Sequence, residues 1–407
     1  MVEARAAGTA AAATGPIALY VHWPWCVRKC PYCDFNSFAC SGEDARLAHA
    51  EGAAIGEEAA YIDALLLDLD AAVALSGPRS VSSIFFGGGT PSLMSSAGFS
   101  RLMEGIRARV ALEPDCEITM EANPGTVEQA RFEDYAAVGV NRFSIGVQSF
   151  DDRFLKALGR IHTGQEAERA VEAALHCVEN VNLDVMYALP GQTLDDVRRD
   201  IDAALCAGTT HLSFYELTIE EGTAFAKRPP AGLPDIDLAA DMGEVVAESL
   251  TRDGFEHYEI SGYARPGRRC RHNLTYWTFG DYYGIGAGAH GKVTVAGGIL
   301  RTVRRQAPFL YMDDVRDGRI ASQLHDVDAQ SLPFEFMLNA LRLFDGVPAL
   351  RWQETTGLPI TVIEPVLEDL RAEGLVVSDP GRIAVTDLGR RFLSDVQERF
   401  LSIDERR

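Results

Sequence analysis

The chain has 407 residues, of which 47% are hydrophobic and 24% are charged, and its formal net charge is −21. This length is sufficient for one large core and a smaller second domain. The acidic balance argues against binding to nucleic acid, and because no run of about 18 apolar residues is present, we expect no membrane-spanning helix. The eight cysteines come without secretion signals, which predicts reduced thiols and a cytoplasmic location.

Short β-rich runs alternate with amphipathic helical patterns over the first two thirds of the chain. The strands are predicted at 17–22, 81–86, 117–121, 142–147, 183–188 and 212–217, and the helices between them at 57–75, 98–110, 127–138, 164–178 and 194–207. Alternating strands and helices predict parallel crossovers and an α/β fold. Six units are fewer than the eight of a closed barrel, so we expect an incomplete (β/α)6 barrel.

The last part of the chain has a different pattern. Two helices are predicted at 334–343 and 363–373, then a β-pair at 375–378 and 382–386 and a helix at 388–399. This order predicts a small, mainly helical, winged-helix-like domain. Its second helix is acidic, which argues against DNA as its partner and leaves a lid or a protein-docking domain. We therefore expect a flexible tail at 1–16, a core at 17–250, an accessory segment at 251–330 and this domain at 331–407.

Three cysteines, Cys26, Cys30 and Cys33, form a Cys-x3-Cys-x2-Cys run directly after the first predicted strand. Three thiolates suit a [4Fe–4S] cluster with one iron left open. An open iron can hold S-adenosylmethionine (SAM) and support its cleavage to a radical. The alternative is a zinc site completed by Cys40 or His22, although structural zinc usually comes from two paired knuckles.

Polar or glycine-rich segments follow the other predicted strands. The second strand ends in Phe86-Gly-Gly-Gly-Thr-Pro-Ser92, and glycines allow close approach of a ligand to the backbone. The later strands end at Glu121, Gln148, Asp184 and Glu216. Because the carboxyl ends of barrel strands meet at one mouth, we expect these groups to surround one site. A further glycine-rich stretch, 284–290, is expected to approach the same site.

At these residues the chain resembles the HemN/HemW branch of the radical-SAM superfamily, from about Ile17 to the C-terminus. Besides the cysteine run, the resemblance lies in Tyr20-Val-His-Trp-Pro-Trp-Cys26, Gly87-Gly-Gly-Thr-Pro91, Glu121-Ala-Asn-Pro124, Ser144-Ile-Gly-Val-Gln-Ser-Phe150 and Leu158-Gly-Arg-Ile-His162. It implies that Cys26, Cys30 and Cys33 ligate a [4Fe–4S] cluster with Tyr20 beside it. It also implies that Tyr32 lies beside the adenine of SAM and that the segment Gly88, Gly89 and Thr90 holds its methionine end. The polar groups of SAM would be contacted by Glu121, Gln148, Arg160 and Asp184.

Two features separate the members of this branch. The oxidases have a further cysteine two residues after the third ligand, where this chain has Phe35. In addition, His272-Asn-Leu-Thr-Tyr-Trp277 resembles the HNxxYW motif of the haem chaperones. A neutral imidazole is a natural axial ligand of haem iron, and Tyr276 and Trp277 are suited to cover a porphyrin face. The nearby Arg265, Arg268, Arg269 and Arg271 are expected to meet its propionates.

The resemblance therefore implies a haem chaperone that binds a [4Fe–4S] cluster, SAM and haem, and that passes haem to an acceptor protein. His272 is the candidate haem ligand, with Cys270 a weaker one. No catalytic residue is assigned, and contact with a membrane is expected only through the acceptor. The alternatives are an oxygen-independent coproporphyrinogen III oxidase, which is an oxidative decarboxylase, and an iron–sulfur protein that no longer cleaves SAM.

Overall fold

The computed structural model describes residues 15–40, 57–125, 131–319, 321 and 323–401. Its central feature is a row of six parallel strands. These are β1 Ile17–Trp23, β2 Val81–Gly88, β3 Leu112–Ala122, β4 Arg142–Gln148, β5 Asn180–Tyr187 and β6 His211–Glu216. Each pairs in parallel with the next. The predicted α/β fold with an incomplete barrel is confirmed, and the strand bounds differ from the predicted ones by a few residues.

The helices that follow these strands cover the outside of the curved sheet. They are α1 Glu58–Ser76, α2 Ser96–Arg107, α3 Phe132–Val138, α4 Asp152–Ala157, α5 Gly164–Cys177, α6 Leu194–Cys206, α7 Ala224–Lys227 and α8 Ile236–Arg252. The helix predicted at 127–138 begins at Phe132 in the described chain, and residues 126–130 lie outside it. The tail predicted at 1–16 lies outside the described residues up to residue 14.

Side chains alternate along the barrel strands. In β1, Leu19, Val21 and Trp23 belong to the apolar core beneath the helices, whereas Tyr20 and His22 face the interior of the barrel and line a cavity there. Successive side chains of a strand point to opposite faces, so the same strands supply both a hydrophobic core outside and polar groups inside. Because of this alternation, the predicted site residues on different strands face the same interior space of the barrel.

Beyond the barrel the sheet continues, so that twelve strands of the described chain form one sheet. The added strands are β7 Glu256–His257, β8 Gly262–Ala264, β9 Tyr282–Ile285, β10 His290–Val295, β11 Gly298–Val303 and β12 Gln323–Asp326. β9 pairs in parallel with β1 at the open edge of the barrel, and β10, β11 and β12 follow it antiparallel. Two helices join this region, α9 Arg271–Trp277 and α10 Pro308–Arg316.

The C-terminal region is mainly helical, as predicted, and has its own core around Phe336, Trp352 and Leu367. Its helices are α11 Leu332–Ala340, α12 Leu350–Thr356, α13 Glu364–Ala372, α14 Asp387–Arg391 and α15 Leu393–Glu398. The predicted β-pair is shorter than expected, because Val376 and Val385 form only an isolated bridge while Arg382–Ile383 pairs with Val347–Pro348. The predicted last helix is broken at Phe392, whose φ of −117° and ψ of 32° are not helical.

A buried ion pair attaches the added strands to the barrel. Asp68 of α1 is fully buried and accepts hydrogen bonds from Arg304, from the Tyr311 hydroxyl at 3.0 Å and from the backbone N–H of Gly286 at 3.1 Å. The Arg304 guanidinium approaches the Asp68 carboxylate to 2.7 Å. A buried carboxylate is stable only when it is paired and hydrogen-bonded, so Asp68 fixes β11 and α10 against α1.

We expect Asp68→Ala to lower the free energy of unfolding by about 3–5 kcal/mol, because Arg304 would be left buried without its counter-charge. Asp70→Ala is the matched control, since Asp70 lies on the same helix as Asp68, pairs with Arg109 and has a side chain that is 51% exposed. The control should cost less than about 1 kcal/mol. Denaturant unfolding of both variants measures the difference, and equal losses would contradict a buried attachment at Asp68.

Candidate functional site

A cavity of about 330 Å³ lies at the carboxyl ends of the barrel strands. Its wall contains all of the residues predicted for the cluster and for SAM except Tyr20: Cys26, Cys30, Tyr32, Cys33, Gly88, Gly89, Thr90, Glu121, Gln148, Arg160 and Asp184. We call this space the first cavity. The strand ends therefore converge on one space, as the order of strands predicted, and His272 lies outside it.

The three cysteines lie on a loop that is closed at its base. Residues Trp25–Cys26 and Phe38–Ala39 form a short parallel pair, and the N–H of Cys40 donates to the carbonyl of Cys26 at 2.8 Å. Burial raises the pKa of Cys26 to about 11 and also raises the pKa of Cys33. Free thiols held at these positions are protonated at neutral pH, and coordination to a metal would be needed to stabilise a thiolate there.

The alternative zinc site is not formed by the described residues. No three histidine, cysteine, aspartate or glutamate side chains among them are placed to hold a single metal ion. His22 is also engaged elsewhere, since its Nε2 donates to the carbonyl of Asn36 at 2.8 Å and its Nδ1 accepts from the Tyr20 hydroxyl at 2.9 Å. A cluster, which contributes its own sulfides between the irons, fits a wider triangle of thiols than one zinc ion does.

Gly88 and Gly89 are required by close packing beneath the first cavity. Gly88 has a φ of +111°, and a Cβ there would lie 2.4 Å from the His22 ring. A Cβ on Gly89 would lie 2.5 Å from the carbonyl oxygen of Trp25. The glycines thus let β2 pass directly against the cysteine loop, and the N–H of Gly88 donates to Glu121 at 3.1 Å.

Arg160 connects the cysteine loop to two strand ends. Its partly buried guanidinium donates to Cys30 Sγ at 3.5 Å, to the carbonyl of Gly146 at 2.8 Å and to the side chain of Asn123. The Asn123 side chain also donates to Thr90 at 2.8 Å, so it links Thr90 to Arg160 in the wall of the first cavity. Asn123 stands inside the Glu121-Ala-Asn-Pro124 segment, but no role for it was predicted from the sequence.

The backbone of Gln148, at the end of β4, has a φ of +67°. This left-handed conformation is unusual for a non-glycine residue and occurs at functional sites.

Glu121 and Asp184 are two partly buried carboxylates in the same wall. Burial, and then repulsion by Asp184, raise the pKa of Glu121 to about 8. Burial also raises the pKa of Asp184, although Ser144 and Asn182 donate to it at 3.0 and 2.9 Å. Two such groups are suited to accept from hydroxyls and to stabilise a cationic ligand. Ser144 and Asn182, which hold Asp184, were not predicted.

A second cavity of about 820 Å³ adjoins the first. The two share a wall that we call the common wall, formed by Lys29, Asp34, Phe35, Ser37, Gly88 and Glu121. Tyr20 lines the second cavity rather than the first. The glycine-rich stretch 284–290 was expected at the SAM site, but Gly288, Ala289 and His290 line the second cavity, because β9 pairs with β1 on the side away from β2.

The segment that contains His272 forms the short helix α9. The Glu117 carboxylate, which comes from β3, accepts from the backbone N–H groups of Arg271 and His272 at 3.2 and 3.1 Å and so caps the helix. Within the helix, His272 and Tyr276 are four residues apart and lie on the same face. Tyr276 and Trp277 line the second cavity, and His272 lies behind Tyr276.

His272 is buried with both ring nitrogens engaged. Nδ1 lies 3.0 Å from the Ser83 hydroxyl and Nε2 lies 2.7 Å from the Tyr276 hydroxyl. Burial, reinforced by Arg142, lowers the pKa of His272 to about 3, so the ring is neutral. Binding of a metal ion to Nε2 would require Tyr276 to move. Cys270 is also buried, and its thiol lies 3.5 Å from Glu117.

The arginines predicted to meet propionates do not lie at the second cavity. Each is paired with a carboxylate on the protein surface: Arg265 with Asp253, Arg268 with Glu179, Arg269 with Glu256 and Asp345, and Arg271 with Asp115. None of the four lines either cavity. That prediction is wrong, because the segment before α9 and Arg271 at its start lie away from the second cavity, whereas Tyr276 and Trp277 at the other end of the helix line it.

Comparisons with known proteins agree with this geometry. Residues 20–204 match the radical SAM superfamily, and residues 327–392 match the HemN C-terminal domain. The chain is 48% identical to the heme chaperone HemW of Escherichia coli over 365 residues, which cover 89% of this chain and 92% of that protein. The chain belongs to the HemW family.

Further relatives extend the family. The heme chaperone HemW of Mycobacterium tuberculosis is 34% identical over 90% of this chain and 92% of its own length. The mouse protein named radical S-adenosyl methionine domain-containing protein 1, mitochondrial, is 36% identical over 89% of this chain and 82% of its own length. The E. coli coproporphyrinogen III oxidase HemN has the same fold, with a TM-score of 0.78 and 21% identity over 96% of this chain and 91% of the oxidase.

Membership in the radical-SAM superfamily implies a [4Fe–4S] cluster and SAM as cofactors. The first cavity fits them, since three thiols stand at one end of a space whose other walls carry carboxylates, an amide and an arginine. When bound, the cluster would supply the electron for any cleavage of SAM. Within the described chain, no helix is both long and apolar enough to cross a bilayer.

We expect Cys26→Ser, Cys30→Ser and Cys33→Ser each to abolish the iron–sulfur absorption, because a hydroxyl is a poor substitute for a thiolate ligand. Cys40→Ser is the control and should keep the absorption, since Cys40 does not line the first cavity. Absorption spectra and iron content of anaerobically reconstituted protein measure the outcome. An equal requirement for Cys40, or bound zinc in place of iron, would contradict the assignment.

We also expect the SAM-free protein to lose stability as pH rises from about 5 to 8. The pKa of Glu121 is raised from 4.5 to about 8 in the folded state. At pH values between these two, Glu121 is protonated in the folded protein and ionised in the unfolded chain. The unfolding free energy therefore falls with rising pH, by a few kcal/mol for this group. Glu121→Gln should remove the contribution of this group and so flatten the fall of the unfolding free energy with pH relative to the wild type in urea unfolding. Glu220→Gln, an exposed carboxylate at the same cavity, should leave it unchanged, and an unaltered slope in Glu121→Gln would refute the assignment.

Proposed function

We propose that this protein is a haem chaperone: it binds haem in the second cavity, beside a [4Fe–4S] cluster and SAM in the first, and delivers haem to an acceptor protein. The observation that carries the proposal is the second cavity, whose wall includes the two aromatic residues of the HNxxYW segment, Tyr276 and Trp277. The names of the E. coli and M. tuberculosis relatives support the same function.

The second cavity has the properties that a porphyrin site needs. Its volume of about 820 Å³ lies in the range of sites for cofactors and other small molecules. Phe279 and Tyr282 extend the aromatic wall, and Phe35 and Phe38 lie exposed at the common wall and beside it. A flat apolar ring system buries well against such side chains.

The roles of the site residues are part of this proposal. Cys26, Cys30 and Cys33 hold the cluster, and the other residues of the first cavity predicted to contact SAM hold SAM, with Arg160 close to Cys30. The haem ligand predicted from the sequence, His272, stays a prediction, and its use would require the hydrogen bond to Tyr276 to open. The acceptor is a haem-dependent protein, any contact with a membrane runs through it, and the location is cytoplasmic.

The second candidate function is oxidative decarboxylation of coproporphyrinogen III. The likeness in fold to the HemN oxidase favours it, but identity of 21% shows the fold alone. At the position of the additional oxidase cysteine, this chain has Phe35, whose side chain is 56% exposed at the common wall. A phenyl ring there offers an apolar contact to a porphyrin and no ligand or proton donor.

Two measurements on the cluster-loaded protein test the proposal. In a titration with hemin, a saturable change in the Soret region is expected, and excess apo-globin should then remove the haem, because a chaperone must release what it binds. Anaerobic incubation with SAM, a reductant and coproporphyrinogen III should give no decarboxylated product. Absence of saturable binding, or haem that apo-globin cannot remove, would refute the chaperone, and decarboxylation would establish the oxidase.

A further inference from the structure

A second histidine, His290, stands open in the cavity proposed for haem. His290 is the first residue of β10, it is exposed, and it lines the second cavity. No partner for its ring is found among the residues that the structure describes. In contrast, both ring nitrogens of His272 are occupied and its side chain does not reach the cavity wall.

The backbone around His290 is fixed against the cysteine loop. The preceding turn contains Gly286 and Gly288 with φ values of +103° and +78°, and a Cβ on Gly288 would lie 2.4 Å from the side chain of Asn36. Asn36 donates to the carbonyl of Ala287 at 2.9 Å. The position of His290 is therefore set by rigid contacts with the loop that carries the cluster ligands.

The groups near His290 favour a ligand that carries both a metal ion and carboxylates. The neutral imidazole suits the metal, and the cations Arg301 and Lys29 suit the carboxylates. Partial burial, and then the guanidinium of Arg301, lower the pKa of His290, which keeps its imidazole in the neutral, metal-binding form at pH 7. Arg301 lies in the same wall, held by Glu335 at 2.6 Å and by the Tyr282 hydroxyl at 3.0 Å. Lys29, in the common wall, has no ion-pair partner among the described residues and bonds only to the carbonyl of Phe35.

We propose that His290 is the axial ligand for the iron of a haem in the second cavity, and that His272 positions Tyr276 in the wall without reaching the metal. The ring nitrogen donates its lone pair to the iron, and no oxidation state changes. The haem would lie between His290 and the aromatic face of Tyr276 and Trp277, with its propionates towards Lys29 or Arg301. This inference rests on the proposed haem-binding function.

The test compares His290→Ala, His272→Ala and His325→Ala in the full cluster-loaded chain. His325 is an exposed histidine on β12, next to β11, and does not line the second cavity. Hemin affinity is measured by titration, and the axial ligand of ferric haem by magnetic circular dichroism and electron paramagnetic resonance. His290→Ala should lose the imidazole signature and bind hemin at least about tenfold more weakly, and free imidazole should restore the signature. The other two variants should retain it.

A second variant keeps the inference testable if His272→Ala does not fold. Tyr276→Phe removes the hydrogen bond to His272 and leaves His290 untouched, so the ligand signature should be unchanged. If His272 is the ligand, Tyr276→Phe should instead tighten hemin binding, and His290→Ala should resemble the wild type; either result overturns the inference. Failure of the wild type to bind hemin would refute the proposed function itself, which is a separate outcome.

Discussion

The hydrogen bonds of Asn36 hold the two cavities in their relative positions. Its side chain donates at 2.9 Å to the carbonyls of Ala287 and Gln306, which are 251 and 270 residues away in sequence, and its backbone carbonyl accepts from His22 at 2.8 Å. Asn36 thus connects the cysteine loop to His22 of the first barrel strand through its backbone and to the turn before β10 through its side chain. The residue is partly buried, so leaving these hydrogen bonds unmade would cost free energy, and the three elements are held together.

The barrel interior shows why an open barrel can hold so many polar groups. Asp184, Asn182, His211 and Tyr258 form a continuous hydrogen-bonded chain, with His211 2.6 Å from Asn182 and 2.9 Å from Tyr258. A second chain runs from Ser83 through His272 to Tyr276. A fully satisfied network of this kind stiffens the interior, whereas a broken one leaves a costly unpaired group. The helix α9 completes the second chain, because it carries both His272 and Tyr276 and is anchored to β2 and β3 by Ser83 and Glu117.

Much of this arrangement could be predicted from the sequence, because the barrel obeys local rules. Strands of alternating character followed by helices gave bounds within a few residues, and residues at strand ends such as Glu121 and Asp184 were placed correctly at one cavity. The long-range contacts could not be predicted. Asn36 reaches across about 250 residues, and the antiparallel strands after β9 extend the sheet in a way that a repeating βα pattern does not indicate.

The arginines near His272 failed as a prediction for a related reason. Their crowding in the sequence suggested one positive patch, but three of the four precede α9 in an irregular segment, and their side chains pair with different carboxylates. Each guanidinium found a carboxylate on a different element, as Arg268 did with Glu179 and Arg271 with Asp115. The role of Glu117 as a cap for α9 was equally hidden, since it is 154 residues distant from Arg271 in the chain.

The common wall has a thermodynamic consequence. Phe35, Gly88 and Glu121 face both cavities, so a ligand in one cavity alters the surface that the other ligand meets. If occupation of the first cavity changes affinity in the second by some factor, occupation of the second must change affinity in the first by the same factor. Binding or release of haem in the second cavity would then change how tightly SAM is held in the first.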